Sequence, residues 1–360
     1  MNKRNVGLDL LRLLAMFMIV LVHVNNWGGL LKNTSFQIDF LPVYILEAFS
    51  ICSVNCFILI SGFFLIKQNF RLKKLIALIF EIMFYTWICF IVALIIKTPM
   101  DITMFVKGLF TISTGIHWFI TCYIMLYIFF PFINKLIYSL SLKQKHFLAI
   151  ITVLFFSVWA FVPKINSQTV HSGYSILWVS VLYYWGAYIR LVFVEGEKNH
   201  LFKKIVKFSG YGYIFFSLIT VIFICTLNLT GNEIWFALRY NSLFVFVASI
   251  CLFIFMYNLE IENNFTKKLI TFLAPAAFGV FLLSDNFFVV YYQRILLNKE
   301  FFLQSFSMPI MILICAVSIF LFCLCISKLL HKRIFGFSDK HLYPNIERIG
   351  IKIKNKFLKV

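Results

Sequence analysis

Arg12 and His23 stand eleven positions apart in the apolar stretch "LDLLRLLAMFMIVLVHVNNWGG". A guanidinium holds a phosphate or carboxylate through paired, charge-assisted hydrogen bonds. An imidazole, titrating near 6.5 in ordinary surroundings, can take a proton from a hydroxyl or carry an acyl group itself. On a helix, eleven steps of about 100° leave a net turn of about 20°, so both side chains leave one face. Along the axis they are about 16 Å apart at ~1.5 Å per residue. An arginine at a bilayer centre costs roughly 2.5–3.5 kcal/mol, although one nearer an end snorkels outward. That stripe should therefore face a bundle interior or a wet cavity. Two plainer readings stay open: Arg12 paired with Asp9 one turn earlier, and His23 hydrogen-bonded as a core histidine.

Other polar residues interrupt apolar runs. Glu47 lies at a depth close to His23 if their helices are neighbours, where its carboxylate could orient the imidazole; the alternative is the headgroup zone. Asp285, between "FLLS" and "NFFVV", is either catalytic or a packing contact. His117 and Trp118 open a run and could contact a ligand or anchor the interface. Arg71, Lys73 and Lys74 form a basic cluster that could hold phosphates or act as a topology signal. Glu81 could pair with Lys74.

The elements that position these residues follow from composition. The 360 residues are 62% hydrophobic and 13% charged, with 46 Phe. Soluble domains run about 45–50% apolar and about 25% charged, so the chain belongs in a membrane. Continuous runs such as "LIALIFEIMFYTWICFIVALII" exclude the alternating pattern of a β-barrel. The expected fold is all-α, a polytopic bundle of about ten transmembrane helices: 8–27, 42–66, 75–96, 117–137, 147–163, 174–194, 208–228, 239–258, 269–292 and 307–327. An even number puts both termini on one side. Of the 33 Lys and Arg residues, 25 then fall on that side and 7 on the other, so both termini are expected in the cytoplasm. The expected division is a membrane-embedded part, 1–330, and a basic cytoplasmic tail, 331–360, either lying on anionic lipid or frayed in solvent.

The net charge of +19 sits in short connections, without the basic–aromatic interleaving of a nucleic-acid surface, so no nucleic-acid partner is expected. All nine Cys fall in apolar runs without a CxxC pair, which fits small buried residues rather than disulfides or metal ligands. The first run lacks a small-residue cleavage site and is not expected to be a removable signal peptide. No appended hydrolase-like domain is expected. The two halves show no convincing similarity, which weakens an inverted-repeat transporter reading.

"GLDLLRLLAMFMIVLVHV" followed by "CFILISGFFLIKQNFRLKKL" resembles the opening of the acyltransferase family 3 membrane proteins, which include bacterial surface-polysaccharide O-acetyltransferases. Arg12 and His23 match the family's Arg-x10-His pair. Ser61-Gly62-Phe63, followed by Arg71, Lys73 and Lys74, match its second-span segment and the basic residues after it. "HWFITCYIMLYIFFPFINKL" (117–136) and "FGVFLLSDN" (278–286) are similar to later segments. Two positions depart from the pattern: Ser284 stands where relatives often have His, and Phe281 where they have Tyr. Any role of that His is then missing here or has passed to Asp285.

The resemblance implies transfer of an acyl group, usually acetyl, from cytoplasmic acetyl-CoA to a sugar hydroxyl of a cell-surface polysaccharide or its lipid-linked precursor. Acetyl-CoA is then a co-substrate and no metal is expected. The implied location is the bacterial cytoplasmic membrane, among its lipids. His23, Glu47 and Asp285 are the catalytic candidates; Arg12, Arg71 and Lys74 the donor-binding ones; His117 and Trp118 the acceptor-binding ones. His23 could act as general base or as acyl carrier. The competing expectation is a transporter or flippase of lipid-linked saccharides, which would also need intramembrane charges but no thioester site.

Overall fold

Asn5 starts the bundle: its side chain accepts from the Leu8 N–H at 2.8 Å and donates to the Tyr257 carbonyl at 2.9 Å. The cap satisfies an orphan donor and ties the first helix, α1 (Val6–Trp27), to a helix some 250 positions later. The computed structural model describes residues 4–31, 38–112, 114, 117–196, 199–305 and 307–346. All regular elements among them are helical.

After α1 come α2 (Leu41–Ser50) and α3 (Ser53–Leu65), two pieces of one span, then α4 (Leu72–Ile95), the short α5 (Ile102–Leu109) and α6 (Trp118–Ser139). Next are α7 (Leu142–Val153), which runs on through wider and tighter turns to Phe161, α8 (Pro163–Thr169), and α9 (Ile176–Tyr188) with a π-turn extension to Val194. The long α10 (Asn199–Leu229) and α11 (Leu243–Tyr257) follow. Then α12 (Asn264–Leu273) joins α13 (Ala277–Ser284) through a 3₁₀ turn. The last are α14 (Phe287–Leu296), α15 (Lys299–Leu303) and α16 (Met308–Phe337).

Nine helical segments among the described residues are long and apolar enough to cross a membrane, and α11, expected as the span 239–258, is the shorter tenth at 15 residues. Several boundaries differ from the sequence expectation. The span expected at 208–228 begins earlier, because its amphipathic start continues the helix. The span expected at 269–292 is broken at Asp285. The helix expected to end at 327 continues to Ile346, so part of the expected tail is helical and packs on α4: Phe337 stacks on Phe80 at 5.3 Å and Lys73 pairs with Asp339 at 3.0 Å. The rest of that tail, 347–360, lies outside the described residues.

The core forms around α1, which packs on α2, α3, α11, α12, α13 and α16. Membrane helices pack closest where small residues let backbones approach, and α3 crosses α9 in this way. A Cβ on Gly62 would lie 2.1 Å from the Tyr183 carbonyl oxygen, and one on Gly186 would lie 2.2 Å from that of Leu59. Internal polar groups near this crossing are partnered, as a low-dielectric interior demands. Asn134 donates to the Leu65 carbonyl at 2.9 Å and accepts from the Tyr183 hydroxyl at 2.7 Å.

Candidate active site

The break after α13 creates the site. At Asp285 the backbone leaves the helix (φ −93, ψ 8), and Asn286 restarts it, its side chain accepting from the Phe288 N–H at 3.1 Å. The carboxylate of Asp285 stands between two imidazoles. His117 Nδ1 lies 3.2 Å from one oxygen and His23 Nδ1 lies 3.6 Å from the other. His117 and Asp285 are only 9% and 17% exposed, so these charge interactions are better shielded from solvent than a surface pair. His23 Nδ1 makes no hydrogen bond among the described residues, and the ring lines a cavity. The Phe281 ring lies 6.5 Å from His23 and 6.2 Å from His117.

These groups line a cavity of about 330 Å³ together with Glu47, Trp118 and Arg294. Glu47 is 1% exposed, and it accepts from the Asn25 side chain at 3.0 Å. The position beside His23 belongs to Asp285 instead. Trp118 packs edge-on against Tyr174 at 4.7 Å and beside Tyr240 at 5.7 Å, forming an aromatic wall. Burial pushes both phenols up from their ordinary value, and the charges of Glu47 and Asp285 add to it. The two hydroxyls also pair with each other, which leaves one phenol O–H to donate to a ligand oxygen.

The other end of α1 lines a different cavity, about 760 Å³, where Arg12 faces Arg4, Lys67 and Arg190. Arg12 pairs with Asp9 at 2.7 Å and sits 5.2 Å over the Phe64 ring; Arg4 pairs with the other oxygen of Asp9. Arg71 and Lys74 line a separate cavity of about 530 Å³, with Glu81 and Asp339 in its walls. The three candidate donor-binding cations thus divide between two cavities flanking the end of α3, with Phe64 in one wall and Leu65 in the other. The Glu81–Lys74 pair does not form. Lys74 donates to Gln68 at 3.0 Å, and Oε1 of Glu81 is buried without a partner.

An aromatic stack separates the two ends. Tyr123, in the wall of the Arg71 cavity, stacks on Phe119 at 5.8 Å; Phe119 meets Phe281, in the wall of the His23 cavity, at 5.5 Å. Ser61 fixes Tyr123, hydroxyl to hydroxyl, at 3.3 Å. Sequence reasoning missed Arg294, Tyr174 and Tyr240. The signal for Arg294 was present, a cation nine residues beyond Asp285 within an apolar run, but it reads there as an ordinary loop charge.

A family model described as an acyltransferase domain matches residues 5–328. No curated protein and no solved structure matches the chain.

Proposed function

Because this chain belongs to acyltransferase family 3 and is a multi-pass membrane acyltransferase, we propose that it moves acetyl from cytoplasmic acetyl-CoA to a hydroxyl of a cell-surface polysaccharide or its lipid-linked precursor. One observation carries this reading. A single helix, α1, puts an imidazole with no hydrogen-bond partner in one cavity and a guanidinium in another at the opposite end of the bundle.

The positive-inside bias puts the Arg12 and Arg71 cavities in the cytoplasm and the His23 cavity toward the outer face of the bacterial cytoplasmic membrane. Arg12, Arg71 and Lys74 supply the cations that the phosphates of a coenzyme A thioester need. The thioester supplies the activated carbonyl. His23 takes the proton from the acceptor hydroxyl as its oxygen forms the new bond to that carbonyl. The carbon–sulfur bond breaks, and the departing thiolate takes up a proton. Asp285, 3.6 Å from His23, orients the ring. Tyr174, Tyr240 and Trp118 line the wall where a sugar would rest.

Membrane vesicles carrying this chain, given labelled acetyl-CoA, should place label in extracted glycan, while vesicles without it should not. No label in either would overturn the reading. In the same assay Arg71→Gln should raise the half-saturating acetyl-CoA concentration about tenfold or more, the worth of one charge-assisted hydrogen bond, with acceptor saturation unchanged. A rise in the acceptor requirement alone would remove Arg71 from the donor site. Asp285→Asn keeps the size of the side chain and removes its charge. It should slow transfer at least about tenfold, yet less than loss of the base itself; an unchanged rate at equal protein level would leave Asp285 a packing contact.

A further inference from the structure

A second cavity adjoins the one that holds His23. It measures about 760 Å³ and shares Tyr174, Trp235 and Leu238 with its neighbour's wall. Each cavity carries one arginine. The Arg294 guanidinium lies 4.3 Å over the Trp27 ring, and that of Arg239 lies 4.1 Å over Phe236. Neither forms an ion pair or a hydrogen bond among the described residues, and Nη1 of Arg239 is buried without a partner.

The nearby carboxylates do not neutralise them. Asn25 holds Glu47, and Asp285 lies between the two histidines. Glu233 is exposed and lines the same cavity as Arg239 without forming an ion pair with it among the described residues. Burial pulls the Arg239 guanidinium below its ordinary value and the Glu233 charge only opposes this. A half-buried guanidinium without an ion pair, as at Arg239, is costly, whereas Arg294 is exposed and lines its cavity over Trp27. An aromatic ring beneath it leaves the edge N–H groups free, in the fork that matches a planar oxyanion.

We propose that the acceptor is an acidic saccharide whose oxyanion, a sugar carboxylate or a phosphate, is seated by Arg239 and Arg294 so that one of its hydroxyls meets His23. The inference rests on the acyl-transfer reading for the last clause and on the two arginines for the rest. Tyr174 and Trp235, in the wall that the two cavities share, give the sugar ring an apolar surface while its charged group engages the guanidiniums.

Binding to the full chain in lipid nanodiscs tests this without requiring turnover. Three probes serve: a uronic-acid trisaccharide, the same trisaccharide with its carboxyls reduced to alcohols, and a polyprenyl-diphosphate-linked neutral saccharide. One or both anionic probes should bind at least about tenfold more tightly than the reduced one. Arg239→Gln and Arg294→Gln should each remove most of that preference, and the corresponding Lys variants should keep part of it. Which anion responds identifies the carboxylate or the phosphate as the group recognised. Equal affinity for the reduced probe, binding of no anion, or Gln variants with unchanged preference would each overturn the proposal. Label transfer from acetyl-CoA is followed in parallel. Anion binding as expected with no transfer by the wild type would sink the acyl-transfer reading and leave the anion site standing.

Discussion

Membranes carrying His23→Ala should acylate acceptor about 10²–10⁴-fold more slowly than wild type at equal protein level, the range expected for loss of a positioned base. A sugar hydroxyl is a poor nucleophile at neutral pH, so the group that removes its proton governs the rate. His23 lines the outer cavity, lies 3.6 Å from Asp285 and makes no hydrogen bond to the described protein. Truncation therefore breaks no hydrogen bond in the bundle, and the amount of folded protein should hold. His23→Gln, which keeps polarity without basicity, should be as impaired. A variant that retains more than about a tenth of wild-type transfer would remove His23 from the mechanism. The same vesicles separate base from acyl carrier. With labelled acetyl-CoA and no acceptor, a carrier leaves label on the protein that is lost in His23→Ala, whereas a base leaves none.

Gly62→Ala should cost more than the 1–3 kcal/mol typical of overpacking, and Gly62→Leu should leave little folded protein in the membrane. The added Cβ would stand 2.1 Å from the Tyr183 carbonyl oxygen and 2.8 Å from its carbonyl carbon. Backbone atoms cannot rotate away as a side chain can, so α3 and α9 would have to part. Their separation would loosen the Asn134 bonds to Leu65 and Tyr183 and disturb Phe63, packed 5.2 Å from Tyr257. Against a typical total stability of about 5–15 kcal/mol, that loss is decisive. Thermal unfolding of purified protein in detergent measures it. A Gly62→Ala midpoint within a degree or two of wild type would show that the helices separate at little cost. Each residue of the Ser-Gly-Phe motif thus supports the bundle. Ser61 fixes Tyr123, Gly62 lets α9 approach, and Phe63 fills the space beneath Arg190, whose guanidinium is 5.1 Å from its ring.

Several features of the site were legible in the sequence. The eleven-residue step from Arg12 to His23 put both on the bundle's interior side, and each now lines a cavity. His117 and Trp118 do open a helix, and Glu47 does line the cavity that holds His23. The identity of the carboxylate beside His23 was not legible, since depth pointed to Glu47 and only the fold brings Asp285 there. The break at Asp285–Asn286 was hidden too, because "FLLSDNFFVV" is apolar enough to read as one span. Glu81 and Lys74, seven positions apart and two turns along one helix, looked like a pair, yet Gln68 takes the ammonium.

The sequence by itself determined the membrane class, the rough limits of most spans and the polar stripe on α1. Those properties are local: hydropathy over some twenty residues and a rotation of about 100° per residue require no knowledge of neighbours. Only the tertiary structure decided that His23, His117 and Asp285 meet, that Arg12 and Arg71 line separate cavities, and that Arg239 and Arg294 line adjoining cavities without an ion pair among the described residues. Such meetings depend on each helix's rotation and height against its neighbours. Those are fixed by close backbone contacts such as Gly62 on Tyr183, between residues more than a hundred positions apart, and by a helix break that turns one carboxylate inward.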